Sequence, residues 1–192
     1  GLIYRLDRFI WELAVQQLAK WQKEGRDELY ISVNISTKDF QYMDVYQTIT
    51  SLVERYGIIP STLKLEITET AIMMGNAGEL ETIGRFRNYG FEVEIDDFGS
   101  GYSSLNTLKD IDVDVLKIDM GFLRTTRSER LERSMSILNM IISLSKVLGL
   151  SVVTEGVETK EEVELLSRWR VDMIQGYYFS RPLPTEELLQ FF

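Results

Sequence analysis

Six short apolar segments rich in β-branched residues recur along the chain, and a stretch with helical patterning follows each of them. They occupy residues 30–34, 63–68, 91–96, 114–118, 151–155 and 171–175. Such alternation is typical of β/α units, in which helices connect parallel strands. A closed parallel barrel needs about eight strands. We therefore predict an α/β fold, a modified TIM-type (β/α)8 barrel with about six of its eight β/α units.

An amphipathic stretch precedes the first of these segments. Its apolar residues fall on one helical face: Leu6, Phe9, Ile10, Leu13, Ala14, Leu18 and Trp21. Gly25 follows as a helix stop, so we expect the chain to begin on a helix and about two N-terminal strands of the barrel to be missing. Further helix boundaries are indicated by Asn76 and Gly90, and by Thr159 with Glu162, which have the spacing of a capping box.

Length and composition fit one globular domain. The chain has 192 residues, of which 44% are hydrophobic and 27% charged, so it can bury a sizeable core. No apolar run approaches the roughly 18 residues that span a bilayer, and the first residues lack the order of a signal peptide. No linker-like segment divides the sequence. We expect residues 1–192 to form one domain, lacking its N-terminal strand or strands.

The residue types that are absent narrow the chemistry. The chain has no Cys and no His, which removes disulfides, thiolate ligands and the commonest general base. A metal would have to be held by oxygen, which favours Mg²⁺ or Mn²⁺ over zinc or copper. A net charge of -9 argues against binding of long nucleic acids or anionic membranes. A small anionic substrate would need a metal to recruit it.

Polar residues end the predicted strands, where active sites of parallel α/β folds form. Because strand side chains alternate, one inward-facing set is expected: Asn34, Glu66, Asp96, Lys117 and Glu155. A single acid of this kind is usually a surface or capping carboxylate. Several crowded carboxylates repel one another unless a cation bridges them, so a site for one or two metal ions is the sharper explanation.

Asp97 follows Asp96 directly, so the two would face opposite sides of a regular strand and could share a metal only if the strand bends there. The glycine-containing segment that follows supplies the necessary freedom: Phe98, Gly99, Ser100 and Gly101.

Several motifs now resemble, in order, those of the EAL-domain family of cyclic-di-GMP phosphodiesterases. The motifs are Ser32-Val33-Asn34-Ile35-Ser36, Leu65-Glu66-Ile67-Thr68-Glu69, Asp96-Asp97-Phe98-Gly99-Ser100-Gly101-Tyr102-Ser103-Ser104, Leu116-Lys117-Ile118-Asp119, Glu155-Gly156-Val157-Glu158 and Gln175-Gly176-Tyr177, followed by Ser180-Arg181-Pro182-Leu183-Pro184. The similarity runs from Leu2 to the end of the chain.

The resemblance implies a metal-dependent hydrolase that converts cyclic-di-GMP to linear pGpG. Asn34, Glu66 and Asp96 would bind one cation, and Asp96 would bridge to a second that Asp97 approaches. In the family a metal-activated water attacks one phosphodiester in line, with Lys117 and Glu155 nearby. Lys117 would then stabilise charge, whereas Glu155 would be a proton acceptor or a metal ligand.

Further roles come from the same resemblance. Glu69 would support the loop formed by Phe98, Gly99, Ser100 and Gly101. The substrate side would be bordered by three polar residues, Gln175, Asp119 and Glu158. The implied partners are cyclic-di-GMP, a second copy of the chain, and fused sensory or diguanylate cyclase (GGDEF) domains in the parent protein. The domain would act in the cytoplasm, even in a membrane-anchored parent.

The chain departs from the family pattern in a few places. The Glu-Ala-Leu tripeptide is absent, and the nearest string, Glu12-Leu13-Ala14, lies inside the first helix. The family's metal ligand and phosphate-binding Arg on that strand are absent as well. We therefore expect the chain to be either a fragment of a complete domain or a naturally shortened domain. Met120 replaces a usual Arg, and Ser100 a common Thr.

Two other functions fit parts of the pattern. A non-catalytic cyclic-di-GMP receptor is the main alternative, against which the full set of site residues argues. A glycosidase would need only two carboxylates and leaves the other motifs unexplained.

One charged pair is predicted below these strand ends. Glu94 has the inward parity of Asp96, and Lys64 that of Glu66. Because a lone buried charge costs several kcal/mol, we expect Glu94 and Lys64 to form an ion pair in the barrel floor.

Overall fold

The computed structural model describes residues 2–99, 111–123 and 128–191. The α-helices in this part of the chain are α1 (Ile3–Lys23), α2 (Thr37–Tyr42), α3 (Val45–Tyr56), α4 (Glu69–Met74), α5 (Ala77–Tyr89), α6 (Ser128–Leu148), α7 (Lys160–Arg168) and α8 (Thr185–Leu188). The strands are β1 (Ile31–Ile35), β2 (Leu63–Thr68), β3 (Val93–Asp96), β4 (Val115–Asp119), β5 (Ser151–Glu155) and β6 (Met173–Ile174). Within the described ranges, no helix is both long and apolar enough to cross a membrane.

The strands form one sheet in the order β1-β2-β3-β4-β5-β6, so each new strand is added beside the previous one. The neighbours β1 and β2, β2 and β3, β3 and β4, and β5 and β6 pair in parallel. The prediction of six strands in one sheet is thus confirmed, and helices connect β1 to β2, β2 to β3, β4 to β5 and β5 to β6. By its internal contacts the chain divides into two compact units, Gly1–Leu116 and Lys117–Phe192.

The core of the first unit lies between its strands and three helices. Strand residues Leu65, Ile67, Val93 and Ile95 are fully or almost fully buried, and the fully buried side chains of the helices include Trp11, Leu18, Ile49 and Phe86. Helix α1 contacts β1 and β2, and α5 contacts β3. Each such aliphatic or aromatic side chain contributes on the order of 1.5–3 kcal/mol by leaving water, which holds the strand ends in place.

Helix α1 is apolar over more than one face, and only part of this apolar surface is buried. Trp11, Val15 and Leu18 follow a helical spacing and are almost completely buried. Of the face predicted from the sequence, Ala14, Leu18 and Trp21 are buried. The other four residues of that face are exposed: Leu6 (58%), Phe9 (57%), Ile10 (46%) and Leu13 (44%). The Trp11 indole N–H donates to the Asn34 carbonyl at 3.0 Å, which ties α1 to the end of β1.

The predicted helix boundaries are confirmed. Asn76 caps α5 through a reciprocal capping box with Glu79, and Gly90 ends that helix with a left-handed φ of 112°. Thr159 and Glu162 form the corresponding capping box at the start of α7. Such boxes satisfy backbone N–H groups that have no partner inside the helix.

A carboxylate at the start of one strand holds the start of the preceding strand in both units. Asp114 accepts a hydrogen bond from the Val93 N–H at 2.9 Å, and Asp172 accepts one from the Val152 N–H at 2.8 Å. Asp114 also accepts two hydrogen bonds from the Arg87 guanidinium, at 3.0 and 2.8 Å. These contacts position the amino ends of β3 and β5.

The second unit has its own buried apolar set, which includes Leu138 and Ile142 of α6, Val152 of β5 and Leu166 of α7. Gly176 packs directly on the backbone of Val157, where a Cβ atom would overlap the carbonyl oxygen. A glycine is therefore required at this position.

Candidate functional site

Asn34, Glu66 and Asp96 lie near the carboxyl ends of three neighbouring strands. Asn34 and Glu66 are register partners on β1 and β2, and Glu66 is in turn the register partner of Glu94 on β3. Asp96 is the last residue of β3, level with Thr68. Glu66 is buried, Asp96 is half-buried and Asn34 is exposed. The first unit therefore presents an amide and two carboxylates at one end of its sheet.

The backbone turns sharply after Asp96. Asp97 has a φ of 56°, in the left-handed region, and its N–H donates to the Asp96 carboxylate at 2.9 Å. Adjacent residues on a regular strand face opposite sides, whereas this turn takes Asp97 off the strand. The bend that the sequence analysis required between the two aspartates is present.

Glu69 joins the following segment to the end of β2. Its Oε2 atom accepts a hydrogen bond from the Gly99 N–H at 3.0 Å, and the side chain is buried. Phe98 is also buried, which anchors this segment in the core. Ser100 and Gly101, which complete the predicted loop, lie outside the described residues.

A buried ionic cluster lies one step towards the amino ends of the same strands. Lys64 Nζ lies 2.6 Å from Glu92 Oε1 and 3.5 Å from Glu94 Oε1, so the predicted pairing of Lys64 with Glu94 is confirmed. Ser32 Oγ donates to Glu94 Oε2 at 3.3 Å, and Lys64 Nζ lies 3.9 Å from the Tyr30 ring centroid. Burial lowers the pKa of Lys64, but the hydrogen bond and charge of Glu92, with Glu94, outweigh it and raise the pKa overall. Lys64 is therefore a cation at neutral pH.

The second unit contains a second charged pair of the predicted site. Lys117 Nζ lies 2.7 Å from Glu155 Oε1, which joins the carboxyl-terminal parts of β4 and β5. The Lys117 side chain is 6% exposed and that of Glu155 22% exposed. A buried ammonium group paired with a carboxylate can offset negative charge on a reacting group.

The residues predicted to border the substrate all belong to the second unit. Asp119 is exposed and accepts from the Gly121 N–H at 2.6 Å. Glu158 is exposed, and its N–H donates to Glu162 at 2.8 Å. Gln175 is held by its backbone, which donates to the Thr154 carbonyl and accepts from the Val157 N–H.

The EAL domain family model matches residues 1–182. The chain belongs to the EAL domain family. It is 36% identical over 188 residues to the oxygen sensor protein DosP of Escherichia coli, a match that covers 98% of this chain and 23% of that protein. It is 34% identical over 191 residues to the cyclic di-GMP phosphodiesterase NbdA of Pseudomonas aeruginosa, with 100% and 24% covered. The chain thus spans about a quarter of the length of these relatives.

Solved EAL structures have the same fold. The chain superposes with a TM-score of 0.90 and 33% identity on the PaMucR phosphodiesterase in complex with c-di-GMP, covering 98% of this chain and 75% of that one. It matches the calcium and cyclic-di-GMP complex of Klebsiella pneumoniae BlrP1 with a TM-score of 0.78 and 26% identity, covering 93% and 44%. The predicted α/β fold of the TIM-barrel type is therefore confirmed.

The side chains of this EAL domain suit a hard divalent cation by their chemistry. Asn34, Glu66, Asp96 and Asp97 offer only oxygen atoms, the donors that such ions prefer. Among the residues that the structure describes, no group of three His, Cys, Asp or Glu side chains is placed to hold a metal ion. The amide of Asn34, the register partner of Glu66, offers a further oxygen ligand in the first unit.

Part of the ionic cluster in this EAL domain was not predicted from the sequence. Lys64 and Glu94 were predicted, whereas Glu92, which makes the shorter contact with Lys64, and Ser32 and Tyr30 were not. Strand alternation could have indicated two of these residues, because Glu92 and Ser32 have the same strand parity as Asp96 and Asn34. Residue 92 precedes the observed start of β3, and its role depends on register rather than on a motif.

Proposed function

We propose that this EAL domain is a metal-dependent phosphodiesterase that hydrolyses cyclic-di-GMP to linear pGpG. The observation that carries the proposal is the placement of Asn34, Glu66 and Asp96 near the carboxyl ends of three paired strands, with Asn34 level with Glu66 and Asp96 level with Thr68. Relatives named as cyclic di-GMP phosphodiesterases, from 30% to 34% identical over almost the whole chain, support the same reaction.

We assign the metal ligands to Asn34, Glu66, Asp96, Asp97 and Glu155, with Mg²⁺ or Mn²⁺ as one or two bound ions. Bound divalent ions of this kind supply a water of lowered pKa and neutralise phosphate charge. The chain's own contribution is to present oxygen ligands on rigid strand ends. The turn at Asp97 and the hydrogen bond from Gly99 to Glu69 help to hold the second carboxylate in position.

Lys117, Glu155 and Asp97 are the proposed catalytic residues. Lys117 would offset the negative charge that develops on the phosphate, while Glu155 orients the ammonium group through their ion pair. Glu155 can also accept a proton from the attacking water. We assign substrate contacts to Gln175, Asp119 and Glu158, and support of the loop to Glu69, Phe98, Gly99, Ser100 and Gly101.

The setting of the reaction is part of the proposal. Relatives that carry names such as oxygen sensor protein, or bifunctional diguanylate cyclase/cyclic di-GMP phosphodiesterase, are about four times as long as this chain. We propose a parent protein with fused sensory or GGDEF domains, which forms a homodimer and acts on a cytoplasmic nucleotide.

Hydrolysis of cyclic-di-GMP with Mg²⁺ or Mn²⁺, followed by chromatographic separation of the products, tests the proposal. We expect linear pGpG from the wild-type chain, and at least about 100-fold less from Asp96→Asn because a carboxylate ligand is lost. Asp27→Asn, at an exposed acid between α1 and β1, is the matched control and should leave the rate unchanged. Nucleotide binding without product would make the domain a receptor, and neither binding nor product would contradict the family function.

A further inference from the structure

Glu94 is a buried carboxylate beside the proposed metal site, and no part of the proposed reaction uses it. It is the register partner of Glu66, one strand away, and only 3% of its side chain is exposed. Two like charges at paired, buried positions repel each other. The position of the Glu94 carboxylate therefore affects what Glu66 can bind.

The contacts of Glu94 direct its carboxylate away from Glu66. Asn34, Glu66 and Glu94 form one row across the three strands, and Ser32 and Lys64 form the next row towards the amino ends. Glu94 begins in the upper row, yet its two oxygens contact the lower one, Oε1 at 3.5 Å from Lys64 Nζ and Oε2 at 3.3 Å from Ser32 Oγ. Ser32 is on β1, so the carboxylate reaches across β2 below Glu66.

Lys64 is itself held firmly in this lower row. Its ammonium group lies 2.6 Å from Glu92 Oε1 and 3.9 Å from the centre of the Tyr30 ring. Three separate contacts to a buried ammonium group leave it little freedom to follow a displaced Glu94 upward.

We propose that Lys64 and Ser32 hold the Glu94 carboxylate away from the cation site at Asn34 and Glu66, so that it does not bind the ion. Lys64 is then a positioning residue that fixes the number of carboxylates available to the ion. This inference rests on the proposed function only in assuming that Glu66 binds a divalent cation.

Mn²⁺ titration of the 192-residue chain, with free Mn²⁺ followed by electron paramagnetic resonance, tests the inference without any turnover. Glu94→Gln should change the Mn²⁺ dissociation constant less than about twofold, because the Glu94 carboxylate held by Lys64 and Ser32 is not a ligand. Glu66→Gln should raise the dissociation constant at least about tenfold, because a ligand is lost. Lys64→Met should lower it about tenfold, because Glu94 is released towards the ion and a positive charge is removed.

Further variants separate positioning from a general structural role. Lys64→Met combined with Glu94→Gln should lose most of the gain in affinity, and Lys64→Arg should keep the wild-type value. Lys160→Met, at an exposed lysine on α7, is the matched control for removal of one positive charge. If Lys64→Met does not fold by circular dichroism, Ser32→Ala should show a smaller gain in the same direction.

The outcomes distinguish the inference from the proposed function. Weaker binding in Glu94→Gln, or weaker or unchanged binding in folded Lys64→Met or Ser32→Ala, would overturn the inference even if hydrolysis were intact. Normal Mn²⁺ responses without hydrolysis of cyclic-di-GMP would overturn the proposed function alone. A wild-type chain that binds no Mn²⁺ would overturn both.

Discussion

At the scale of single residues, Asp39 of α2 affects the ionisation of Asp7 of α1. Asp39 is fully buried, and its Oδ2 accepts hydrogen bonds from the N–H and the hydroxyl of Ser36, at 2.8 and 2.7 Å. Burial, and then the charge and hydrogen bonding of Asp39, raise the pKa of Asp7 above its usual value of 3.8. Asp7 is thus less stable as an anion in the folded chain.

Asp7→Asn should stabilise the fold at neutral pH. Because the pKa of Asp7 is raised on folding, the folded state binds the proton more tightly, and stability falls as pH rises through the raised pKa. Thermal unfolding should therefore show a higher Tm for Asp7→Asn at about pH 7, and a much smaller difference at about pH 4. Asp27→Asn should show no such pH-dependent difference. An equal gain at both pH values would contradict the electrostatic cause.

At the scale of secondary-structure elements, the Asp114 contact explains how β3 is held. Asp114→Ala should lower the free energy of unfolding by about 2 kcal/mol, because it leaves the Val93 N–H without this acceptor and removes the Arg87 contacts. Chemical denaturation measures the change. Asp112→Ala is the matched control, since Asp112 also contacts Arg87 but is 68% exposed and should cost less than about 0.5 kcal/mol. Equal losses in the two variants would contradict the role assigned to the Asp114 hydrogen bonds.

Element boundaries show where sequence patterns succeed and where they fail. The bounds of β2 and β5 are as predicted, because β-branched and apolar residues fill those segments and polar residues end them. The strands predicted over 91–96 and 171–175 begin two residues later, at Val93 and Met173. The N–H groups of Phe91 and Val171 donate instead to carbonyls of Phe86 and Leu166, in the preceding helices. Apolar residues at helix C-caps therefore resembled strand residues.

Helix α1 shows the limit of periodicity. Apolar residues occupy more than one face of this helix, and a helical period cannot tell which face packs on the sheet. The indole hydrogen bond of Trp11 and the burial of Val15 identify the buried face, and both depend on the register of β1 and β2 rather than on the helix itself.

At the scale of the whole molecule, the net charge of -9 should oppose capture of an anionic nucleotide. We expect kcat/KM for cyclic-di-GMP to rise several-fold when ionic strength increases from about 10 to about 150 mM at saturating metal, because salt screens the repulsion. Initial rates at low substrate concentration measure this effect. Glu161→Lys, on the exposed surface of α7, should reduce the salt dependence without changing kcat. A rate that falls with added salt would show that local positive charge dominates capture.

Residues of the candidate site could be predicted from the sequence where they lie at the ends of strands. Strand alternation predicted that Asn34, Glu66 and Asp96 face the same side of the sheet, and the same rule predicted the pairing of Glu94 with Lys64. The turn at Asp97 was foreseen as a requirement, but its left-handed conformation is a property of the folded backbone. The Ser32 contact to Glu94 joins residues 62 positions apart across two strands, which no local pattern encodes.

The aspartates that precede β4 and β6 have a further consequence for chemistry at the opposite ends of the strands. Asp114 accepts a hydrogen bond from the first N–H of β3, at Val93, and Asp172 accepts one from the second N–H of β5, at Val152. If β3 slipped by one residue against β2, every side chain would change sides, and Asp96 would face the helices while Ile95 faced inward. Asp114 thus helps to fix the register of β3 although it lies at the opposite end of that strand from Asp96. Its loss should therefore give folded molecules in which β3 has the wrong register and the proposed site is not assembled.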